Sequence, residues 1–266
     1  MRESRSQWDR GETDVNLYKQ LLTEHDCYKA GRTITPKGVM VHSTGANNPY
    51  VCRYVPGNDT LGYNTGGNHW NRAGLSKCVH AFVGKLADGT VGAVQTLPWT
   101  MRGWHAGGAA NNTHISFELC EDSLEDKAYF QTAYQQAVEL TAMLCRIYGL
   151  DPQADGVVLC HSEGHSRGIA SNHSDVMHWF PKHGKTMDDF RADVARALEG
   201  GEEVTYEEWK GYMEQYRREL GEQSATMPDL LADAVAMGLT DGVRPRDLVT
   251  REECAVMARA AAKTPR

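Results

Sequence analysis

The chain has 266 residues, 41% of them hydrophobic, and a formal net charge of −7, which allows one or two domains with a sizeable core. The acidic balance argues against nucleic acid as a partner, since phosphate binders are usually basic. No apolar run approaches the roughly 20 residues that cross a bilayer, so no membrane insertion is expected. The start, MRESRSQWDRGETD, has charges but no apolar stretch behind them. It does not read as a secretory signal, and accumulation in the cytoplasm is expected. The seven cysteines are odd in number and form no CxxC pair. They read as reduced, mostly buried thiols of a cytosolic product.

In chain order, residues 1–16 form a polar tail. LLTEHDCYKAGRTITPKG, from Leu21, is a lead-in rich in turn residues, and GVMVHST reads as a short buried strand with a polar tip. ANNPYVCRYVPGND and YNTGGNHWNRAG are loops punctuated by Gly, Asn and Pro. CVHAFVGKLADGTVGAVQTL predicts a β-hairpin turning at Asp88-Gly89, the usual type I′ signal. ISFELCE is a further strand. Phe130, Ala133, Ala137, Leu140, Leu144 and Ile147 recur at helical spacing over Lys127 to Tyr148, with Gly149 as the stop. VVLCH is a strand that delivers His161 at its end. Gly164 and Gly168 argue against a helix directly after it. MDDFRADVARALEGG is a helix closed by glycines, and Gly200-Gly201 marks a boundary. Beyond it, Thr205 with Glu208 and Thr250 with Glu253 are spaced as capping boxes. Tyr206, Trp209, Met213, Tyr216 and Leu220 share one helical face.

Strands interleaved with long helices predict an α/β fold with a central mixed β-sheet flanked by helices. The catalytic unit is expected over 17–200. Residues 201–266 are read as a linker helix and a small α-helical module.

His42, Glu118 and His161 each end, or nearly end, an apolar strand, and ligands of open α/β sheets bind beyond strand ends. A lone histidine there is usually a hydrogen-bonded surface residue; two with a glutamate on three strands ask for chemistry. A catalytic zinc needs three protein ligands and an open position for water. HSEGH is not the HExxH helix, because its Glu is third and glycines interrupt it. The alternative is His42 and His161 with a third ligand from HSEGHSRGIASNHSD. Asp175 is the choice, with His173 and His165 as alternatives. In an extended segment His173 would face the same way as Asp175. Glu118 would be general base toward the activated water, and protonated His173 would stabilise the oxyanion. A cysteine nucleophile is the weakest reading, since Cys160 and His161 are neighbours facing opposite sides of a strand.

VMVHST, VHAFVGKLADGTVGAVQTLP, RGWHAGG, ISFELCE and VLCHSEGHSRGIASNHSDVMHWFPKHG, in this order over roughly residues 17 to 198, resemble zinc-dependent N-acetylmuramoyl-L-alanine amidases. These are the type-2 amidases, whose fold is that of peptidoglycan-recognition proteins. The likeness is greatest to phage or prophage endolysins of Gram-positive bacteria. It implies hydrolysis of the amide between N-acetylmuramic acid and L-alanine of the stem peptide, with peptidoglycan as the partner. It also implies Zn²⁺ on His42, His161 and Asp175, Glu118 as the catalytic glutamate, and His173 where a lysine is frequent. His80 occupies the place of a catalytic tyrosine of some phage members, and Trp104 and His105 would line the substrate groove. AVAMGLTDGVRPRDLVTREECAVMARAA is similar to half of an S-layer-homology repeat, which implies wall tethering, with self-association as the alternative. A non-catalytic peptidoglycan-binding module of the same fold is the second reading of the whole chain. A zinc hydrolase of another amide is the third.

Overall fold

The computed structural model describes residues 15–199, 206–221, 225, 227–243, 254–256 and 258–259. The chain forms two compact units, residues 1–201 and 202–266.

In the first unit the elements run β1 (Leu17–Lys19), α1 (Asp26–Lys29), β2 (Gly38–Ser43), β3 (Gly57–Asn58), β4 (Gly62–Tyr63), β5 (Ala81–Lys85) and β6 (Val91–Gln95). They continue with β7 (His114–Leu119), α2 (Lys127–Tyr148), β8 (Val158–Cys160), α3 (His161–Ser166) and α4 (Met187–Glu199). Six strands make one sheet in the order β1-β6-β5-β7-β2-β8. The β5–β6 pair is antiparallel and the other pairs are parallel. This is the mixed sheet that the alternation of elements predicts.

Period-two alternation splits the sheet into two faces. Val39, Val41, Ile115, Phe117 and Leu119 point to one side and pack with α2 and α4 residues such as Phe130, Leu140, Phe190 and Val194. Trp179 and Phe180 are fully buried in the same core. The intervening residues of β2 and β7, Met40, His42, Ser116 and Glu118, lie on the other face. Apolar residues fill most of that face, and the polar pair His42 and Glu118 comes at the C-terminal ends of two parallel strands. The long helix has its expected bounds. Asp126 caps it by accepting from the Tyr129 amide at 3.0 Å, and Gly149 ends it in the left-handed conformation.

Two local expectations are corrected. The hairpin turn is not type I′, because Asp88 does not take positive φ and Gly89 alone does (φ 83°). The Gly89 amide donates to Leu86 O and the Leu86 amide to Thr90 O. That is a three-residue loop closed by a left-handed glycine, the next most common solution. The second correction is α3, where the glycines led to no helix. A Cβ on Gly164 would meet Met40 Cε at 2.8 Å and Ala170 Cβ at 3.0 Å. The glycine lets the helix lie against β2, so packing overrides propensity. Glu163 supplies the cap, accepting from the Cys160 amide at 3.0 Å. Arg191 of α4 in turn holds Glu163 with two nitrogens.

The second unit contains α5 (Tyr206–Gly221) and α6 (Pro228–Ala236), the latter with proline in its first turn. Thr205, one partner of the first capping box, lies outside the described residues, as do Thr250 and Glu253, the Gly200-Gly201 boundary and residues 1–14 of the tail. Among the described residues no helix is long and apolar enough to cross a membrane.

Candidate metal centre

His42 and Glu118 are register partners across the parallel β2–β7 pair, so their side chains rise from the same face of the sheet. Cys160 of β8 pairs with Val41, which puts His161, one residue later, level with His42. Asp175 arrives from the other direction, at the start of a 3-10 turn (Asp175–His178). Its backbone is left-handed, φ 43°, a conformation that L-residues other than Asn and Asp seldom take.

The three side chains meet at a point. Asp175 Oδ2 lies 3.1 Å from His42 Nδ1 and 2.9 Å from His161 Nδ1. The two Nδ1 atoms are 3.2 Å apart. Ligand atoms about 2.0–2.1 Å from a tetrahedral zinc stand roughly 3.3–3.4 Å from one another, so the set has the size of a coordination face. Each imidazole has its Nε2 against an outer partner: His105 Nδ1 at 3.0 Å for His42 and Ser171 Oγ at 3.1 Å for His161. With both Nε2 protons assigned outward, three lone pairs converge with no proton among them. A cation satisfies that arrangement, and the donor set of two imidazoles and a carboxylate fits a catalytic zinc.

The electrostatics are those of a buried anionic site. In the metal-free chain the Nδ1 atoms can carry the protons instead; burial would then raise the Asp175 carboxyl, but hydrogen bonds from His161 and His42 outweigh it and hold the group well below the usual range. Burial lowers His42 in spite of the neighbouring Asp175 charge. Burial pushes Glu118 up to about 8, the Asp175 charge adds to the rise, and the Lys77 ammonium opposes it. Glu118 Oε2 is buried with no hydrogen-bond partner, which is unusual for a carboxyl.

A cleft of about 480 Å³ opens over the triad. Glu118, His173, Trp104, His105, Lys77 and His178 are among its walls. A larger hollow of about 570 Å³, between α2 and α4, contains none of the triad. His173 stands exposed with its ring centroid 4.6 Å from that of His161 and its Nδ1 3.2 Å from Ser171 Oγ. It shares the cleft with Asp175, although the turn at Asp175 means that an extended segment is not the reason. His165 is exposed, its Nδ1 3.4 Å from Ala170 O, and is not in the triad. Cys160 is buried and burial raises its thiol.

His80 does not line the cleft. It is fully buried; its Nδ1 accepts from the Ser116 amide at 3.0 Å and its Nε2 donates to Met101 O at 2.7 Å. Neither nitrogen remains for a substrate, so the groove contact expected of it is replaced by a structural clasp between β7 and the segment at Met101. Burial drives its pKa from 6.5 to about 4. The folded state therefore favours the neutral ring. That stabilisation is complete above the unfolded pKa of about 6.5 and is lost as pH falls toward 4. Between pH 7 and pH 4.5 it amounts to about 2–3 kcal/mol. Urea unfolding of His80→Gln is expected to show that much less acid destabilisation than the parent chain. Equal pH dependence in the two proteins would refute the assignment.

Sequence reasoning missed Ser171, Asn111, Lys77 and the buried Glu121. His178 Nε2 pairs with Glu121 Oε1 at 3.0 Å beside the cleft. Ser171 lies inside the histidine-rich segment, but a serine in a loop carries no mark of its partner 65 residues away.

Residues 32–181, more than half of the chain, match the family described as N-acetylmuramoyl-L-alanine amidase. The chain is similar in structure to the Staphylococcus aureus hydrolase AmiA, with TM-score 0.52 and 17% identity, over 72% of this chain and 85% of that one. It is also similar to the PlyG catalytic domain, with TM-score 0.48 and 20% identity over 72% and 98% of the two chains. For the endolysin amidase LysCS from Clostridium intestinale the values are 0.41, 13%, 69% and 98%. At these identities the likeness to AmiA speaks for the fold. No curated protein matches the chain.

Proposed function

The chain belongs to the N-acetylmuramoyl-L-alanine amidase family, and on that premise we propose that it hydrolyses the amide between N-acetylmuramic acid and L-alanine of the peptidoglycan stem, with zinc as its metal. The observation that carries the reading is the convergence of His42, His161 and Asp175 next to Glu118, whose Oε2 is buried without a hydrogen-bond partner.

His42 Nδ1, His161 Nδ1 and an Asp175 oxygen would hold the zinc. Bound there, it would bring the pKa of water near 7 and polarise the scissile carbonyl. Glu118 is the general base. Its carboxyl rises from the strand beside His42, and no hydrogen bond competes for Oε2. In the metal-free chain burial holds this carboxyl up near 8; a cation on the adjacent triad would favour its charged form, the form that takes a proton. It takes the proton of the attacking water and passes it to the departing alanine nitrogen. His173, on the exposed side of the cleft, is the partner of the developing oxyanion. Trp104 contributes an aromatic wall for the substrate. The membership of the family supports an endolysin-like lytic role. The helical unit would hold the enzyme to the wall or to another copy; Leu230 and Val235, exposed on α6, support contact with another surface.

The test is a metal assay joined to product analysis on purified peptidoglycan. About one zinc per chain and new alanine amino termini are expected. Zinc binding without new termini would make the chain a binding module rather than an amidase.

A further inference from the structure

Each triad histidine directs Nδ1 to the shared point and leaves Nε2 for something else. His42 Nε2 lies 3.0 Å from His105 Nδ1, and His161 Nε2 lies 3.1 Å from Ser171 Oγ. These outer partners are joined. Ser171 Oγ donates to the Ala106 carbonyl at 3.2 Å, and the Ser171 amide donates to the same oxygen at 2.8 Å. The amides of His105 and Ala106 both donate to Asn111 Oδ1, each at 2.8 Å. Asn111 is itself buried. A Cβ on Gly107 would meet Ser171 Oγ at 2.8 Å, so the loop lies tight against residue 171. One short segment therefore stands behind both histidine ligands, and one amide pins it.

We propose that His105 and Ala106, pinned by Asn111, form the orienting clasp of the metal centre: His105 Nδ1 accepts the His42 Nε2 proton, and Ala106 O holds Ser171 in place to accept that of His161. This rests on the triad being the metal site. A neutral imidazole has a single proton. An acceptor at Nε2 keeps the proton there and leaves the Nδ1 lone pair for the metal. His105 must then carry its own proton on Nε2, and that atom is buried without a partner. In the metal-free chain the opposite order is available, with His42 Nδ1 donating to Asp175 and His105 Nδ1 donating to His42. Metal binding sets the direction of the pair. His105 is thus a positioning residue that acts through His42, a role beyond lining the groove.

Zinc affinity of the full chain, measured by competition with a chelator, tests the clasp. His105→Leu and Ser171→Ala are each expected to weaken zinc about 10–100-fold, while His105→Asn, which keeps an acceptor near the Nδ1 position, stays within about threefold of the parent. His42→Ala is the control for the site itself: unchanged affinity there would mean that the metal-site reading has failed, not the clasp. Parent-like zinc binding by both His105→Leu and Ser171→Ala, with His42→Ala defective, overturns the proposal. Should His105→Leu fail to fold, nitrogen-15 spectra of histidines in the zinc-loaded parent decide. His105 protonated on Nε2 and bare on Nδ1 supports the clasp, and the reverse tautomer overturns it.

Discussion

Replacing Glu118 with glutamine is expected to lower kcat on purified peptidoglycan about 10²–10⁴-fold, the usual contribution of general acid–base catalysis, while zinc remains bound. The substitution keeps the shape of the side chain. It leaves the triad untouched, because Glu118 rises from β7 next to His42 but its carboxyl is not among the three converging groups. The amide cannot take a proton from water, so the loss falls on kcat rather than on metal content. Burial raises the Glu118 carboxyl to about 8 against an ordinary value of 4.5, so the charged form is disfavoured in the folded chain. The stability it withholds is felt above the ordinary pKa, where an unfolded chain would be ionised. Glu118→Gln should therefore be at least as stable as the parent near pH 7. Full-rate cleavage by the variant would remove Glu118 from the mechanism.

Asp175→Asn is the second large effect. Asparagine tolerates the left-handed backbone at φ 43°, so the turn should survive, and the change reduces to removing one negative charge from the ligand set. That charge is what the two imidazoles hold far below the ordinary carboxylate range. A direct anionic ligand should matter more than an outer-shell contact, whose loss weakens metal about 10–100-fold. Zinc affinity is expected to drop by at least about 100-fold, and activity to fall with zinc occupancy. Adding zinc in excess should recover part of it. If Asp175→Asn binds zinc as the parent does, the third ligand is a different residue, and His173 is the next to examine.

The parts legible in sequence were those governed by short-range periodicity. Phe130, Ala133, Ala137, Leu140 and Leu144 repeat at helical spacing, and α2 has the bounds that spacing implies. Val39, Val41, Ile115 and Phe117 alternate with polar or flexible residues, and they form the core face of the sheet. Alternation puts His42 opposite Val41 and Glu118 opposite Phe117 within their own strands, but that the two tips stand side by side is decided by the β2–β7 register. The helix α3 was not legible. Gly164 lowers helix propensity locally, and only the closeness of Met40 and Ala170 explains why a glycine is wanted there. The Asp88-Gly89 pair is compatible with a two-residue or a three-residue loop, and the bonds of Leu86 with Thr90 and Gly89 show the latter.

The sequence by itself determined the α/β class, the strand tips that carry His42 and Glu118, the strand that His161 directly follows, and the family to which those segments belong. The tertiary structure decided what each remaining histidine does. His80 spends both nitrogens inside the sheet layer, His105 stands behind His42, and His173 faces the cleft. The reason is physical. An imidazole has two nitrogens and no preferred partner in its own segment, so its role follows from whichever groups the fold brings within hydrogen-bond reach across many residues of chain.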